Sequence, residues 1–214
     1  MQLLEVYAGR IREVQYNNAT VTTAIYKEPV SGPVEVNTLG LVSDQQADPR
    51  FHGGPFKAVY GYPSEHYAYW KDARPDIDFP PAAFGENLST QGMDEHDVCI
   101  GDAFKIGTVE LVVAGIRVPC FKLGIKLGDP TMVRDFLHAQ RTGIYFSVRQ
   151  EGSLKAGDAI EFLGGDDYGL TVHEVARAYH AEKSNKALVE KCANAPGLSE
   201  DWRESFRQQL ATLE

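Results

Sequence analysis

The sequence is poor in the features that mark several common kinds of protein. Only three cysteines occur in 214 residues, Cys99, Cys120 and Cys192. A fully paired disulfide framework is therefore impossible, and a reducing, cytoplasmic setting is expected. No Cys-X-X-Cys pair and no His/Cys grouping has the spacing of a structural zinc site, so no zinc is expected. No run approaches the roughly 18 to 20 uncharged apolar residues needed to span a bilayer, and no membrane partner is expected. Residues 1–10 include Glu5 and lack the basic start and apolar stretch of a secretory leader. Basic residues are outnumbered, 21 Lys and Arg against 30 Asp and Glu, for a formal net charge of −9. Coating nucleic acid requires a cationic face, so that partner class is excluded. A dinucleotide fingerprint and an iron–sulfur cysteine set are also missing, so electrons for any redox chemistry must come from outside.

What is present is ordinary in bulk and uneven in detail. Apolar residues make up 43% and charged residues 24%, as in a globular protein. Dividing 214 residues by roughly 150 per domain predicts one domain plus an appendage. Residues 1–116 carry 8 Lys and Arg against 16 Asp and Glu, residues 117–155 carry 7 against 3, and residues 156–214 carry 6 against 11. A basic island inside an acidic chain suits a pocket for a small anion, although a solvated face is the commoner origin.

The pattern up to residue 164 reads as short strands broken by Gly and Pro. Residues 20–25 alternate with a period of two. A hairpin is predicted around Gly107, flanked by Phe104 and Ile106 on one side and Val109, Leu111 and Val113 on the other. Helices are expected from Pro63 to Lys71, with Pro63 in the first turn, and over residues 131–139. Strands follow at 143–149 and 158–163. Many short strands with few helices predict a mainly β fold, a closed or nearly closed barrel over residues 1–164. Residues 165–214 read as three short helices. Thr171 and Glu174 fit a capping box for the first, and Ser184 is expected to cap the second. Trp202, Phe206, Leu210 and Leu213 form an apolar stripe on the third. Three such helices bury little alone, so they should pack on the barrel or on a second copy of the chain, a possible homodimer.

Cys120 is the leading candidate for chemistry. It follows a strand-like run in Gly115-Ile-Arg117-Val-Pro-Cys120-Phe-Lys122, and nearby cations favour the thiolate, the form that attacks electrophiles and binds metals. A buried core cysteine is the competing reading. Cys99 and Cys192 lack such neighbours and read as packing residues. His52-Gly53-Gly54 offers a donor or proton carrier beside glycines whose N–H groups can cradle an anion. Phe84-Gly-Glu-Asn87-Leu88 places an amide and a carboxylate next to a glycine. Arg141 and Arg149 could reach phosphate bidentately, though a lone Arg is usually a surface charge.

In order, Lys27-Glu-Pro-Val, Gly40-Leu-Val-Ser-Asp44, His52-Gly-Gly54, Ala58-Val-Tyr60, Phe84-Gly-Glu-Asn87-Leu88, Gly101-Asp102 and Arg117-Val-Pro-Cys120 resemble the MOSC-domain family. Residues 168–214 resemble the three-helix tail of its YiiM-type subgroup, the 6-hydroxylaminopurine resistance proteins. The resemblance implies a β-barrel holding a molybdopterin-type molybdenum cofactor, with Cys120 as protein ligand to the metal. It implies cofactor contacts from Lys27, His52, Gly53, Gly54, Asn87, Arg117 and Lys122, with His52 and Asp44 as candidates to move protons. The implied activity is a molybdenum-dependent oxidoreductase that reduces N-hydroxylated purines to amines, detoxifying base analogues. Its electrons would come from a separate flavin or iron–sulfur protein. The alternative is a module that carries cofactor or sulfur on Cys120 without turnover of its own.

Overall fold

A computed structural model of the chain describes residues 1–48 and 52–213. Thirteen strands and six α-helices occur among them. The main sheet has eight strands in the order β13-β9-β10-β11-β7-β8-β1-β4. They are β13 (Ile160–Gly164), β9 (Ala103–Ile106), β10 (Val109–Ile116), β11 (Ile144–Gln150), β7 (Val59–Pro63), β8 (Leu88–Gln91), β1 (Gln2–Gly9) and β4 (Lys27–Pro29). Every pairing is antiparallel except β7 with β8. That parallel pair needs a crossover, and residues 64–87 supply it, including helix α1 (His66–Ala73). Strands β2 (Arg12–Tyr16) and β3 (Ala19–Thr23) form a hairpin. Strands β5 (Val34–Asn37), β6 (Gly40–Leu41) and β12 (Gly152–Leu154) form a small third sheet.

The expected closed barrel is not confirmed. The sheet curls until β1 meets the turn before β13, through the bridge Gln2↔Ala159 and backbone hydrogen bonds from Leu3 N to the Asp158 carbonyl (3.0 Å), from Gly157 N to the Leu3 carbonyl (2.8 Å) and from Ile160 N to the Met1 carbonyl (3.1 Å). Gly157 holds φ of 89° there, so a turn and only the first residue of β13 face β1, and the contact is one isolated bridge rather than a strand pairing. The result is a sheet-dominated mixed fold with helices at its C-terminal end.

Three local expectations need correction. Pro63 ends β7, paired with Thr90 of β8, and the helix starts only at His66, because the strand continues until its parallel partner is satisfied. Asn185, not Ser184, caps α5 (Lys186–Ala193), its side chain accepting from Leu188 N. A helix α2 (Phe121–Leu127) follows Cys120 directly. Its seven residues and internal Gly124 left no periodic signature. Gly124 is there for contact: a Cβ would come within 2.8 Å of Pro130 Cα, where the chain turns into α3 (Met132–Ala139).

The tail helices are α4 (Val172–Ala176), continued by a π-turn over Arg177–Ala181, then α5 and α6 (Glu200–Ala211). The capping box of Thr171 with Glu174 is present at α4. Val172, Val175, Val189, Cys192 and Phe206 join Leu3, Leu111, Val113 and Phe146 in one mainly aliphatic core, with Trp202 and Leu210 packed against it, so the tail packs most of its stripe on its own sheet. Burial pushes the Cys192 thiol up to about 12, in keeping with a packing role. A second, aromatic core lies beneath the crossover: Tyr60, Tyr62, Trp70, Phe79, Phe84, Leu123, Met132 and Phe136.

Candidate functional site

The sheet brings several strand ends to one place. β1 finishes at Gly9, β8 begins after Asn87, β10 runs out into Arg117-Val118-Pro119-Cys120, and the chain after His52 leads into β7. Between them opens a cleft of about 100 Å³, lined by Lys27, Asp44, His52, Asn87, Arg117, Cys120 and Lys122 among others. Seven of the nine residues singled out in the sequence meet here, from segments up to 95 positions apart (122 − 27).

Gly53 and Gly54 are the exceptions, for they do not line the cleft. Gly54, at φ of 93°, precedes the single 3-10 turn Pro55–Lys57. A Cβ at Gly54 would meet nothing within 4 Å, so the glycine serves the backbone angle. The effect is to aim His52 and Lys57 into the cleft from either side of the turn. Phe51, which precedes His52 in the sequence, lies outside the described residues.

The floor of the cleft is an interlocked polar set. Lys27 is ion-paired with Asp44. Asp44 Oδ1 accepts from Gly9 N (2.6 Å), and Oδ2 accepts from Asn87 Nδ2 (2.9 Å). Asn87 also donates to the Tyr7 carbonyl (3.3 Å) and accepts from Tyr60 N (3.2 Å). Asp44 and Asn87 are thus spent on positioning: they hold Lys27 and tie β1, β7 and β8 together. Proton transfer is the poorer use of Asp44, because three donors already converge on it. Burial pushes the Lys27 ammonium below its ordinary value, against the opposing pull of Asp44. Ser43 is not among the residues with positive φ, so the backbone that delivers Asp44 is unstrained there.

Arg117 is 7% exposed and sits deeper. Its guanidinium donates to the Phe84 carbonyl and lies over the rings of Tyr60 (5.0 Å to the centroid) and Phe136 (5.5 Å). Burial works against its charge, yet Tyr60, Tyr145 and Cys120 around it hold it above its ordinary value. The aromatic core thereby becomes a seat for a cation at the cleft's base. Two further charged groups lie near enough to feel its charge. Glu86 is fully buried and accepts from the Tyr67 hydroxyl and from Phe84 N (3.1 Å); burial raises its carboxyl. Lys126 donates to the carbonyls of Ile25 and Ala82, and burial lowers it to about 8.

Cys120 occupies the N-cap of α2 with extended φ and ψ (−118°, 172°) and is partly exposed. Its side chain faces the cleft, not the core. His52 stands across the same space. Burial, then the charges of Lys122, Arg117 and Lys57, hold its imidazole below the ordinary histidine value, so it is neutral at neutral pH. Among the described residues no three His, Cys, Asp or Glu side chains converge as a metal-binding set. A metal in this cleft would have one protein sulfur available, that of Cys120, and an organic carrier would suit its other positions. The cations fit such a carrier if it is anionic.

Lys57, Tyr60 and Tyr145 were not legible as site residues in the sequence, because each depends on contacts across the sheet. The basic island, conversely, does not act as a unit. Of its cations only Arg117 and Lys122 line the cleft. Arg149 pairs with Glu110 on the surface, Arg134 pairs with Asp135, and Arg141 approaches His66 Nδ1 (3.0 Å) and the Tyr69 ring.

Comparison with known proteins agrees with this architecture. The chain matches the MOSC domain over residues 48–161 and the YiiM-like 3-alpha helix domain over residues 170–213. It is 35% identical to the protein YflK of Bacillus subtilis, covering 99% of this chain and 95% of that one. It is 34% identical to a protein named reductase from Gibberella moniliformis, covering 91% of this chain but only 35% of that longer protein. The crystal structure of YiiM from Geobacillus stearothermophilus superposes with a TM-score of 0.81 at 32% identity, covering 98% of both chains. The chain belongs to the MOSC-domain family, in the branch that carries the YiiM-like three-helix domain.

Proposed function

We propose that this chain binds a molybdenum cofactor of the molybdopterin type through Cys120 and reduces N-hydroxylated bases and related hydroxylamines to amines. The observation that carries the reading is the cleft itself, where one accessible thiol faces Lys57, Arg117 and Lys122 and a neutral histidine. Soft thiolate suits molybdenum, and the cations suit the phosphate of the carrier. Family membership and the reductase relative support the same class of chemistry.

The overall conversion is R–NHOH + 2 H⁺ + 2 e⁻ → R–NH₂ + H₂O. When bound, the cofactor supplies the two-electron redox chemistry and a place for the departing oxygen. The chain's own residues do the rest. Cys120 would hold the cofactor, while Arg117 and Lys122 would bind its anionic part. Lys27, fixed by Asp44 and Asn87, would set the position of that floor. His52 would relay protons from solvent, since a neutral imidazole both accepts and donates. A separate protein would deliver electrons.

The test is elemental analysis for molybdenum on protein from a cofactor-competent host, wild type beside Cys120→Ser, with turnover of an N-hydroxylated purine driven by reduced viologen. We expect about one molybdenum per wild-type chain, little in the variant, and turnover only in the first. Molybdenum uptake independent of Cys120 would sink the assignment. Uptake without substrate consumption would make the chain a carrier. A His52→Ala variant that keeps full turnover would remove the proton relay alone.

A further inference from the structure

Cys120 lies at the junction of two spaces. Beyond the charged cleft is a second chamber of about 460 Å³, which shares His52, Lys57, Val118, Cys120, Lys122 and Tyr145 with the first. The two differ in their remaining walls. Lys27, Asp44, Asn87 and Arg117 line only the charged cleft, whereas Ile116, Pro119, Phe121 and Trp202 line only the second chamber.

Trp202 comes from α6, so the three-helix tail builds part of this wall. Neighbouring groups hold it in place. Ser199 caps the helix with its hydroxyl accepting from Trp202 N. The indole stacks on Phe206 (5.6 Å between centroids, 20° between planes) and meets Tyr179 edge-on (5.5 Å, 81°). Gly115, at a register shift in β10, makes room for it, since a Cβ there would stand 3.2 Å from the indole Nε1. Phe121, at the opening of α2, is 53% exposed. A large aromatic left open at a cavity mouth, beside a braced indole, is a wall for a flat apolar ligand.

We propose that this second chamber seats the planar heteroaromatic ring of the substrate, with Trp202 of the tail and Phe121 as its ring contacts and the Cys120 side as its reactive end. The proposal rests on the function proposed above and adds what the tail is for: it completes the substrate site. His52, Lys122 and Asp48 supply the polar groups of the chamber that would face ring nitrogens and the N-oxygen substituent.

The test is binding of adenine, an amino product of the proposed reaction, followed by tryptophan fluorescence and calorimetry. Trp70 is 1% exposed and donates from Nε1 to the Tyr62 hydroxyl, so quenching by a ligand reports Trp202. We expect adenine to quench the wild type. Phe121→Ala and Trp202→Leu should each weaken the calorimetric Kd about tenfold, as loss of one base–aromatic contact does. Trp202→Phe should abolish the signal and stay within about threefold in Kd, because a ring remains to stack on. If Trp202→Leu does not fold, the exposed Phe121 keeps the test. Adenine affinity unchanged in Phe121→Ala, or wild-type binding without quenching, overturns the proposal. Molybdenum is measured on the same wild-type protein. Metal present with either of those results defeats the chamber alone. Adenine behaving as expected in a protein that never takes up molybdenum defeats the cofactor reading and leaves the chamber standing.

Discussion

The two cores of this protein are built differently and do different work. The aliphatic core gathers side chains from Leu3 to Phe206, and its members offer packing without directed polar groups. The aromatic core draws Tyr60, Tyr62, Trp70, Phe79 and Phe84 from 25 consecutive residues (60–84) that run through β7 into its crossover to β8. Its rings carry polar handles: Trp70 Nε1 donates to the Tyr62 hydroxyl (2.7 Å) and the Tyr60 hydroxyl to the Thr142 carbonyl (2.9 Å). Aliphatic burial stabilises by area alone. Aromatic burial also presents π-faces and donors in fixed directions, and this core uses them to seat Arg117 at the base of the cleft. One core holds the molecule together. The other also shapes its chemistry.

The largest expected effects test that division directly. Phe136 is fully buried, stacks with Trp70 (6.1 Å, 5°) and lies under Arg117. Phe136→Ala should lose about 3–5 kcal/mol of unfolding free energy and also weaken binding of inorganic phosphate in the cleft. Leu111→Ala, in the aliphatic core, should lose about 2–5 kcal/mol with phosphate binding unchanged. Denaturant unfolding and calorimetry on the two variants check the pair; equal effects on phosphate would erase the distinction.

Lys126 sharpens the comparison through pH. Burial lowers it from 10.5 to about 8, so between those values the unfolded chain holds a proton that the folded chain has released. Stability gained from this group therefore rises with pH across that window and is lost as pH falls through it. Lys126→Met should flatten the rise between pH 8 and 10.5 in unfolding free energy measured point by point.

Smaller effects belong to the surface and the tail. Thr171→Ala removes the capping box of α4 and should cost about 1 kcal/mol, seen as a lower unfolding midpoint. Arg149→Ala breaks the exposed pair with Glu110 and should change stability by less than about 1 kcal/mol. It should leave phosphate binding in the cleft intact, as expected for a cation outside the site.

Much of the site was legible because its residues sit in short segments with unusual local chemistry. Cys120 after Pro119 and between Arg117 and Lys122 is one such segment, and His52 ahead of two glycines is another. The hairpin at Gly107 and the capping box at Thr171 were readable for the same reason, since each is set within a few residues. The seven-residue helix after Cys120 was not, being too short for periodicity. Nor was the positioning role of Asp44 and Asn87, whose partners Gly9, Lys27, Tyr7 and Tyr60 lie up to 80 positions away (87 − 7). The basic island misled in a useful way: a local excess of cations need not share a direction once strands and helices turn them apart.

The order of motifs along the chain was enough to name the family, to single out one thiol of three, and to place three helices after the strands. Those are properties of neighbours in sequence, governed by local propensity and by which residue types can ionise or ligate. Tertiary structure alone decided that Lys57, Tyr60 and Tyr145 join the cleft, that Gly53 and Gly54 stay out of it, and that Trp202 reaches a wall beside Cys120. Such placements depend on how far the sheet curls and on which face the tail packs against, and both follow from burying many distant side chains at once.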